Sequence, residues 1–411
     1  MSRGTDAPLV GRRGTGAGSG GLAVAGAFAV SSALGLVLLA VVARWLEPEQ
    51  NARFLTLWSL LFGIGAVLSA VDAETSRLAS RATLERRRVS GQVWPVAAVG
   101  LAIGLLVLLL AVVSPGVGPV VRQTPGVLLA SVATVVLFVP LCTTRGVLLG
   151  TGAVMPYAAV VLGEALLRVL VAGALWLAWG TPVLAAAVAA VAAGGLAWVV
   201  GARRVRASVE WRSADRSASA ALRTVGALAV ANGLSTLLLA AYPVLVTTLV
   251  GSPVGLETLF AAVILTRVPL VVVSPLQAVA VPWATRALHD GGRARLRGLW
   301  GRAAAALVAL VVVAGLAGWY LGPWALRVFQ GGGYAAAPWT MAVLLGATCV
   351  LAFALPQLAV VVAAERHSHV TLTWTIAVAA AAAWLVWGPG AGDVRGTVAY
   401  AVGAALVYAT S

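Results

Sequence analysis

Long apolar segments make up most of this chain, and they limit its fold more than any other feature. A helix needs about 20 apolar residues to cross a bilayer core of roughly 30 Å. Hydrophobic residues make up 61% of the 411 positions and charged residues only 10%, which excludes a soluble domain of this size. The sequence therefore predicts an all-α polytopic membrane protein with about twelve transmembrane helices. The predicted spans are 21–43, 53–78, 92–113, 126–149, 156–178, 182–200, 223–249, 256–284, 299–321, 338–363, 370–387 and 394–410.

The longest polar run, Gly201–Arg223, lies close to the midpoint of the chain. Six predicted spans precede it and six follow. We therefore predict an N-terminal six-helix lobe at 21–200, a cytoplasmic linker at 201–222 and a C-terminal six-helix lobe at 223–411. Residues 1–20 are rich in Gly, Ser and Arg, and this composition is typical of a disordered tail.

An internal repeat supports the division into two lobes. Leu22–Ala25, at the start of the first span, recurs as Leu228–Ala231 in the seventh. Leu78–Ala82, at the end of the second span, is similar to Trp283–Ala287 at the end of the eighth. Both offsets are about 205 residues, half of the chain. This indicates a duplicated transporter architecture, with halves related by an axis along the membrane normal.

The distribution of arginine predicts the orientation. With residue 1 placed inside, the inside loops carry 18 Arg and the outside loops five. Loops rich in basic residues face the cytoplasm, so both termini are predicted to be cytoplasmic. The arginines flank apolar segments and form no basic face on a soluble domain, which argues against nucleic-acid binding. The two cysteines lack metal-ligand spacing, and we predict no metal and no cofactor.

Ionisable residues inside membrane spans are costly, so each is a functional candidate. Glu164 and Arg168 lie four residues apart and can pair on one helix face, either as a structural pair or with Arg168 held in a cavity. Arg267, near the middle of the eighth span, has no acidic residue within one turn and needs water, another helix or an anionic ligand. The predicted substrate-binding residues are Arg267, Arg168, Arg77, Asn232 and Gln277, and the predicted coupling or gating residues are Glu164, Asp72, Glu74 and Arg145.

Prolines interrupt several predicted spans. The eighth contains Pro269, Pro275 and Pro282, and the seventh contains the pair Tyr242-Pro243. Proline frees backbone carbonyls, which are tolerated at membrane depth only where protein or water satisfies them. Together with Arg267 and Gln277, these prolines indicate that the eighth span lines a wet cavity. The aromatic stretch 320–334 is predicted to be an outside loop that anchors the interface.

Three motifs carry a family resemblance: Ala73–Arg77 ending the second span, Arg145–Gly150 followed by Tyr157, and Gly322–Arg327 before a Gly-rich turn. In these motifs the chain resembles the MOP exporter superfamily, in its polysaccharide-biosynthesis branch of Wzx-type oligosaccharide-lipid flippases. The resemblance implies two six-helix lobes forming a V, as in the MATE/MOP fold, with alternating access to a central cavity. It also implies a bacterial plasma membrane location.

The implied substrate is a polyprenyl-diphosphate-linked oligosaccharide, moved to the outer leaflet for cell-surface polysaccharide. Membrane lipids and polysaccharide polymerase or glycosyltransferase machinery are the implied partners. Arg267 from one lobe, with Arg168 or Arg77 from the other, would hold the diphosphate, because the planar guanidinium binds phosphate through several donors.

Three other functions remain open on the sequence. A cation-coupled drug exporter of the related multidrug branch would need an acidic site. A membrane enzyme, such as a polymerase or glycosyltransferase, would need a sizeable loop or soluble domain for its acceptor. The sequence contains no paired carboxylates or nucleophile motif, so we predict that the protein is not an enzyme. A scaffold without transport activity would leave the buried charges unexplained.

Overall fold

The computed structural model describes residues 16–123, 125–179, 184–210, 218–251, 256–270, 293–331, 333–363 and 367–411. The described chain is mostly helical. Its helices are α1 (Gly16–Trp45), α2 (Pro48–Leu84), α3 (Val93–Val113), α4 (Gly118–Arg122), α5 (Pro125–Gly150), α6 (Val154–Trp179), α7 (Leu184–Gly194), α8 (Trp198–Ser208), α9 (Ala218–Leu239), α10 (Tyr242–Val250), α11 (Glu257–Leu265), α12 (Arg293–Gln330), α13 (Pro338–Ala363), α14 (His367–Trp387) and α15 (Gly392–Thr410). A 3₁₀ turn (Gly195–Ala197) joins α7 to α8, and two short strands, β1 (Val89–Ser90) and β2 (Val209–Glu210), complete the set.

The helices pack as two groups, α1–α8 and α9–α15, which we call the first and the second lobe. In the first group α2 packs along α5 and α1 along α6, and in the second α12 packs along α13 and α14 along α15. The groups meet where α2 contacts α9, α10 and α11, where α3 contacts α9, and where α1 contacts α12. Large apolar side chains such as Leu109, Leu110 and Leu177 are exposed on the outer faces, as expected of a surface in contact with lipid.

Ten of the described helical segments are long and apolar enough to cross a membrane, and the chain is a multi-pass membrane protein. About half of the predicted eighth span, residues 271–284, lies outside the described residues, which include its part 256–270. The predicted twelfth span forms α15, which is not among the ten. Tyr400 and Ala404 of this helix are fully buried, so much of its surface faces protein and tolerates Gly, Thr and Tyr.

Close helix packing in the first lobe depends on two glycines of the Arg145–Gly150 motif. A Cβ at Gly146 would overlap the Thr75 hydroxyl and the Asp72 carbonyl of α2, and one at Gly150 would overlap the Ser76 carbonyl. These glycines are four residues apart, so both lie on the same face of α5. Small residues with this spacing let two membrane helices approach backbone to backbone.

The predicted seventh and eighth spans are each broken near their centre. The seventh divides between Leu239 and Tyr242, because Pro243 has no N–H to continue the helical bonding and is accommodated in the first turn of α10. In the eighth, α11 ends at Leu265 and a turn at 266–267 follows, two residues before Pro269. Two interrupted helices therefore lie where the sequence predicted simple spans.

Two predicted boundaries also differ from the structure. The stretch 320–334 is not a loop: α12 continues to Gln330 through Pro323, and only 331–337 connects it to α13. Its aromatic residues thus extend a helix, on which Tyr320 and Trp324 are exposed. The sixth span also extends further than predicted, because α8 continues to Ser208 inside the predicted linker. Strand β2 then pairs in parallel with β1, with Val89 opposite Val209 and Ser90 opposite Glu210.

Candidate functional site

A cavity of about 380 Å³ lies between the two lobes. Helices α1, α2, α5 and α6 line it from the first lobe, and the two broken spans line it from the second. The charged side chains that line it are Arg145, Glu164, Arg168 and Arg267. Measured along α11 from Glu257 at 1.5 Å per residue, Arg267 lies about 15 Å from the start of its span, near the middle of a membrane.

Arg267 lies at the meeting point of the two helix breaks. Its Nη1 donates a hydrogen bond of 3.0 Å to the Ala240 carbonyl, in the interruption after α9. Both α9 and α11 end here, and the partial negative charge of helix C-termini stabilises a cation. No carboxylate pairs with Arg267 among the described residues. Backbone dipoles therefore take the place of an acidic partner.

Part of the Arg267 guanidinium remains unused. The Tyr400 hydroxyl interacts with it through charge and hydrogen bonding, and the Tyr400 ring lies edge-on to that of Tyr242 with ring centres 5.0 Å apart. Arg267 Nε and Nη2 are buried atoms without a partner in good hydrogen-bond geometry within the described chain. Buried donors of this kind are costly and need a ligand or ordered water. The cavity thus holds a cation with N–H groups available.

Arg168 lies on the opposite wall in a different environment. Its Nη2 forms an ion pair with Glu164 Oε1, as the four-residue spacing predicts. Its guanidinium carbon lies 5.0 Å from the centre of the Phe62 ring, 5.5 Å from that of Phe138 and 6.0 Å from that of Trp58. Cations over aromatic faces are attracted by about 2 kcal/mol when desolvated. Glu164 and three rings therefore hold Arg168 in place.

Arg145 links this pair to a second carboxylate. Its Nη1 lies 3.5 Å from Glu164 Oε2, and its Nε lies 3.5 Å from Asp72 Oδ2. Its guanidinium carbon also lies 5.8 Å from the centre of the Tyr157 ring. Charges thus alternate along the chain Asp72, Arg145, Glu164 and Arg168. Two carboxylates face three arginines once Arg267 is included, so the side-chain charge of the site is positive.

Within the described part of the chain, the other predicted site residues do not line this cavity. Arg77 pairs with buried Glu74, its Nε lying 2.7 Å from Glu74 Oε2, so these two predicted site residues bind each other. Asn232 donates a 2.9 Å hydrogen bond to the Ser69 hydroxyl and thereby joins the lobes. Asp72 reaches the site only through Arg145. Gln277, with Pro275 and Pro282, lies outside the described residues.

Sequence reasoning missed several groups that form the site. The rings of Trp58, Phe62 and Phe138 could not be distinguished from lipid-facing or core aromatics, because no sequence spacing marks them. The free carbonyl near Ala240 could have been predicted from the pair Tyr242-Pro243, because a proline frees a carbonyl of the preceding helical turn. No sequence pattern indicated Tyr400, because it lies in a helix far along the chain from Arg267.

A group of contacts joins the lobes at the end of α2 that the arginine distribution places outside. Asn51 Nδ2 donates to the Tyr334 hydroxyl at 2.6 Å, and Arg44 Nη2 donates to the Val328 carbonyl at 2.5 Å. Burial raises the pKa of the Tyr334 hydroxyl, which therefore stays neutral at physiological pH. Nearer the cavity, the hydroxyls of Thr56 and Thr247 lie 3.4 Å apart. We call these contacts the outer latch.

Comparison with solved structures defines the fold. The inward-facing conformation of a multidrug resistance MATE family transporter of the MOP superfamily aligns with a TM-score of 0.67 over 92% of this chain and 93% of that one, at 13% identity. The eukaryotic MATE transporter AtDTX14 aligns at 0.60 over 96% and 94%, at 12% identity. The outward-facing conformation of the MATE transporter aligns at 0.58 over 95% and 94%, at 14% identity. The chain therefore has the all-α polytopic fold of MATE transporters of the MOP superfamily.

Sequence comparison finds relatives in mycobacteria. The uncharacterized proteins Rv3630 of Mycobacterium tuberculosis and Mb3654 of Mycobacterium bovis are each 29% identical to this chain over 375 residues, which cover 87% of it and 83% of each relative. No family model matches. The structural neighbours are MATE transporters, and none of those named here is a Wzx-type flippase.

Proposed function

We propose that this protein is an alternating-access transporter that moves a polyprenyl-diphosphate-linked oligosaccharide across a bacterial plasma membrane, with both termini cytoplasmic. The observation that carries the proposal is Arg267, a guanidinium in the inter-lobe cavity with unused N–H groups and no acidic partner in the described chain. Such a group favours an anion. The fold supports a transporter, because the proteins that share it are named as transporters.

The chemistry of the cavity suits a diphosphate. Arg267 and Arg168 line the same cavity from different lobes, so the cavity offers an anion one cation from each lobe. Charge-assisted bonds from guanidinium to phosphate are about twice as strong as neutral hydrogen bonds, and more so away from water. Glu164 and Arg145 act as the coupling pair: an anion near Arg168 competes with Glu164, which can turn towards Arg145. Polymerase or glycosyltransferase machinery would supply or consume such a substrate.

A second candidate is a cation-coupled exporter of small molecules. A structural neighbour that is a multidrug resistance transporter favours it, as do the Glu164 carboxylate and the aromatic wall formed by Trp58 and Phe62. For this function a cationic compound would have to displace Arg168 from Glu164. The two candidates differ in the charge of their substrate, so one assay can separate them.

The test uses purified full-length protein in proteoliposomes. A fluorescent polyprenyl-diphosphate sugar reports flipping through protection from an added quencher, and a cationic dye reports drug export. We expect flipping by the native protein and a loss of about tenfold or more for Arg267→Gln, because a hydrogen bond to a charged group is worth roughly 1.5–3 kcal/mol. The matched control is Arg395→Gln, at an arginine in the first turn of α15 that also donates to a backbone carbonyl, that of Leu385 at 3.1 Å, and does not line the cavity.

Two outcomes would overturn the proposal. The first is equal flipping by Arg267→Gln and native protein. The second is transport of the dye without flipping of the lipid, which would establish the second candidate instead.

A further inference from the structure

A second cavity, of about 730 Å³, lies in the first lobe between α3, α5 and α8. Its walls are nearly all apolar and include Leu101, Val136 and Val139. It is separated from the inter-lobe cavity by α5, because Thr143 and Thr144 face this groove while the next residue, Arg145, faces the substrate cavity. We call it the α3–α8 groove. Its contents therefore do not mix with the transported substrate.

Local backbone features create the groove. Pro140, inside α5, cannot donate the helical hydrogen bond to the Val136 carbonyl, and both residues line the groove. A Cβ on Gly195 would lie 2.6 Å from Leu137 Cβ, so the 3₁₀ turn touches α5 closely. Helix α8 then begins at Trp198 and presents Trp198, Ala202 and Arg206 to the groove, each four residues from the next.

The groove has one polar end. Arg206 lies there, in the last turn of α8 and exposed, with Arg203 and Arg204 on the same helix. The arginine distribution predicts this end to face the cytoplasm. From Val93 to Leu101 the wall formed by α3 rises about 12 Å at 1.5 Å per residue. Trp94 is exposed at the same end, a position typical of aromatic side chains at a membrane interface.

A residue that lines the groove also carries a buried donor. Trp198 lines it, and its indole Nε1 is buried without a hydrogen-bond partner in the described part of the chain. A buried indole N–H normally has an acceptor. An apolar wall, one buried donor and an arginine at the mouth match the parts of a phospholipid: an acyl chain, an ester carbonyl and a phosphate.

We propose that the α3–α8 groove binds one anionic phospholipid of the cytoplasmic leaflet. One acyl chain fills the apolar groove, the ester carbonyl accepts from Trp198 and the phosphate contacts Arg206. The lipid fills the space that Pro140 opens and stabilises the packing of α3 and α8 against α5. This inference does not depend on the identity of the transported substrate, because α5 separates the two cavities.

Native mass spectrometry of the purified full-length protein tests the proposal, with phosphatidylglycerol and phosphatidylcholine as probes. We expect one phosphatidylglycerol per protein to be retained, bound about tenfold more tightly than phosphatidylcholine, and a matching rise of Tm. Arg206→Gln should remove the preference for phosphatidylglycerol. Ala202→Leu should reduce the retention of both lipids, because the added side chain occupies the groove.

Arg203→Gln is the matched control, since Arg203 is an exposed arginine of the same helix that does not line the groove. It should leave retention unchanged. Equal losses in Arg203→Gln and Arg206→Gln would overturn the proposal in favour of diffuse attraction to anionic lipid. Unchanged retention in Ala202→Leu would also overturn it. Displacement of phosphatidylglycerol by a polyprenyl diphosphate, one for one, would assign the groove to the substrate tail instead.

Discussion

Arg168 and Arg267 are held at membrane depth in two different ways. Arg168 pairs with Glu164 and lies among three aromatic rings. Arg267 uses the Ala240 carbonyl and two helix C-termini. The first arrangement satisfies the cation within the protein, whereas the second leaves donors for a ligand. The difference explains why we assign anion binding mainly to Arg267 and coupling to Glu164.

The Glu164–Arg168 pair leads to a prediction about stability. Arg168→Gln should lower the free energy of unfolding by about 3 kcal/mol, because it leaves a mostly buried carboxylate with only the longer contact to Arg145. The double variant Glu164→Gln/Arg168→Gln should lose less than the single one. Denaturant titration in micelles, followed by tryptophan fluorescence, measures both.

The exposed pair Glu49–Arg53 provides the control, since it has the same four-residue spacing in α2. Arg53→Gln should cost less than about 1 kcal/mol, because exposed ion pairs contribute little. If the double variant at 164 and 168 loses as much as the two single variants together, the pair is not energetically coupled.

At the scale of helices, the sequence could predict where most spans lie but not how they are interrupted or joined. Ten of the spans could be located from the length of their apolar segments, because the thickness of the bilayer sets that length directly. The Glu164–Arg168 contact followed from helical spacing. The helix breaks at 240–241 and 266–267 require that a freed backbone carbonyl accepts a hydrogen bond from another helix. Here the Ala240 carbonyl accepts one from Arg267. That donor is fixed by tertiary packing, and Asn232 and Arg77 show that intramembrane polarity alone does not place a residue in the cavity.

Helix α5 leads to a prediction about packing. Gly146→Ala should separate α5 from α2, because the new methyl group would overlap the Thr75 hydroxyl and the Asp72 carbonyl. We expect a loss of stability of about 1–3 kcal/mol, the usual range for overpacking, and a lower yield of folded protein. The Asp72–Arg145 contact joins the same two helices, so transport should fall as well.

The control for this substitution is Gly173→Ala, in α6, where a Cβ would meet no atom within 4 Å. Its Tm should stay equal to the native value or rise slightly, because alanine is the better helix former. Size-exclusion chromatography and thermal unfolding in detergent compare the two variants. Equal Tm values would show that α2 and α5 can adjust to the added methyl group.

At the scale of the whole molecule, the contacts of the outer latch hold the two lobes together at one end. Arg44, Asn51 and Thr56 of the first lobe contact Val328, Tyr334 and Thr247 of the second. The alternating access that we propose for this protein requires these contacts to separate once in each cycle.

A cross-link across the outer latch tests this requirement. In the variant Thr56→Cys/Thr247→Cys the new thiols replace hydroxyls that lie 3.4 Å apart, so oxidation should form a disulfide. Transport should stop on oxidation and return on reduction, because the lobes can no longer separate. The native Cys142 and Cys349 are buried and far from this pair in the chain.

A cross-link within one lobe is the control. The variant Ala381→Cys/Gly403→Cys joins α14 to α15, where a Cβ on Gly403 would lie 3.5 Å from that of Ala381. Its disulfide should leave transport intact, because the second lobe moves as a unit. Continued transport with the Thr56–Thr247 position fully cross-linked would contradict alternating access by separation at the outer latch.

The pairing of β1 with β2 limits how far the two lobes can separate where the chain passes from one to the other. Because Val209 and Glu210 are hydrogen-bonded beside Val89 and Ser90, the chain that leaves the first half is anchored at Glu210 rather than at the end of α8. Only eight peptide steps then lead to Ala218, where α9 begins. A fully extended chain covers at most about 3.5 Å per step, so Glu210 and Ala218 can lie at most about 28 Å apart. In any conformation that keeps the β1–β2 pairing, Glu210 and Ala218 therefore stay within this distance of each other, whatever cargo the protein carries.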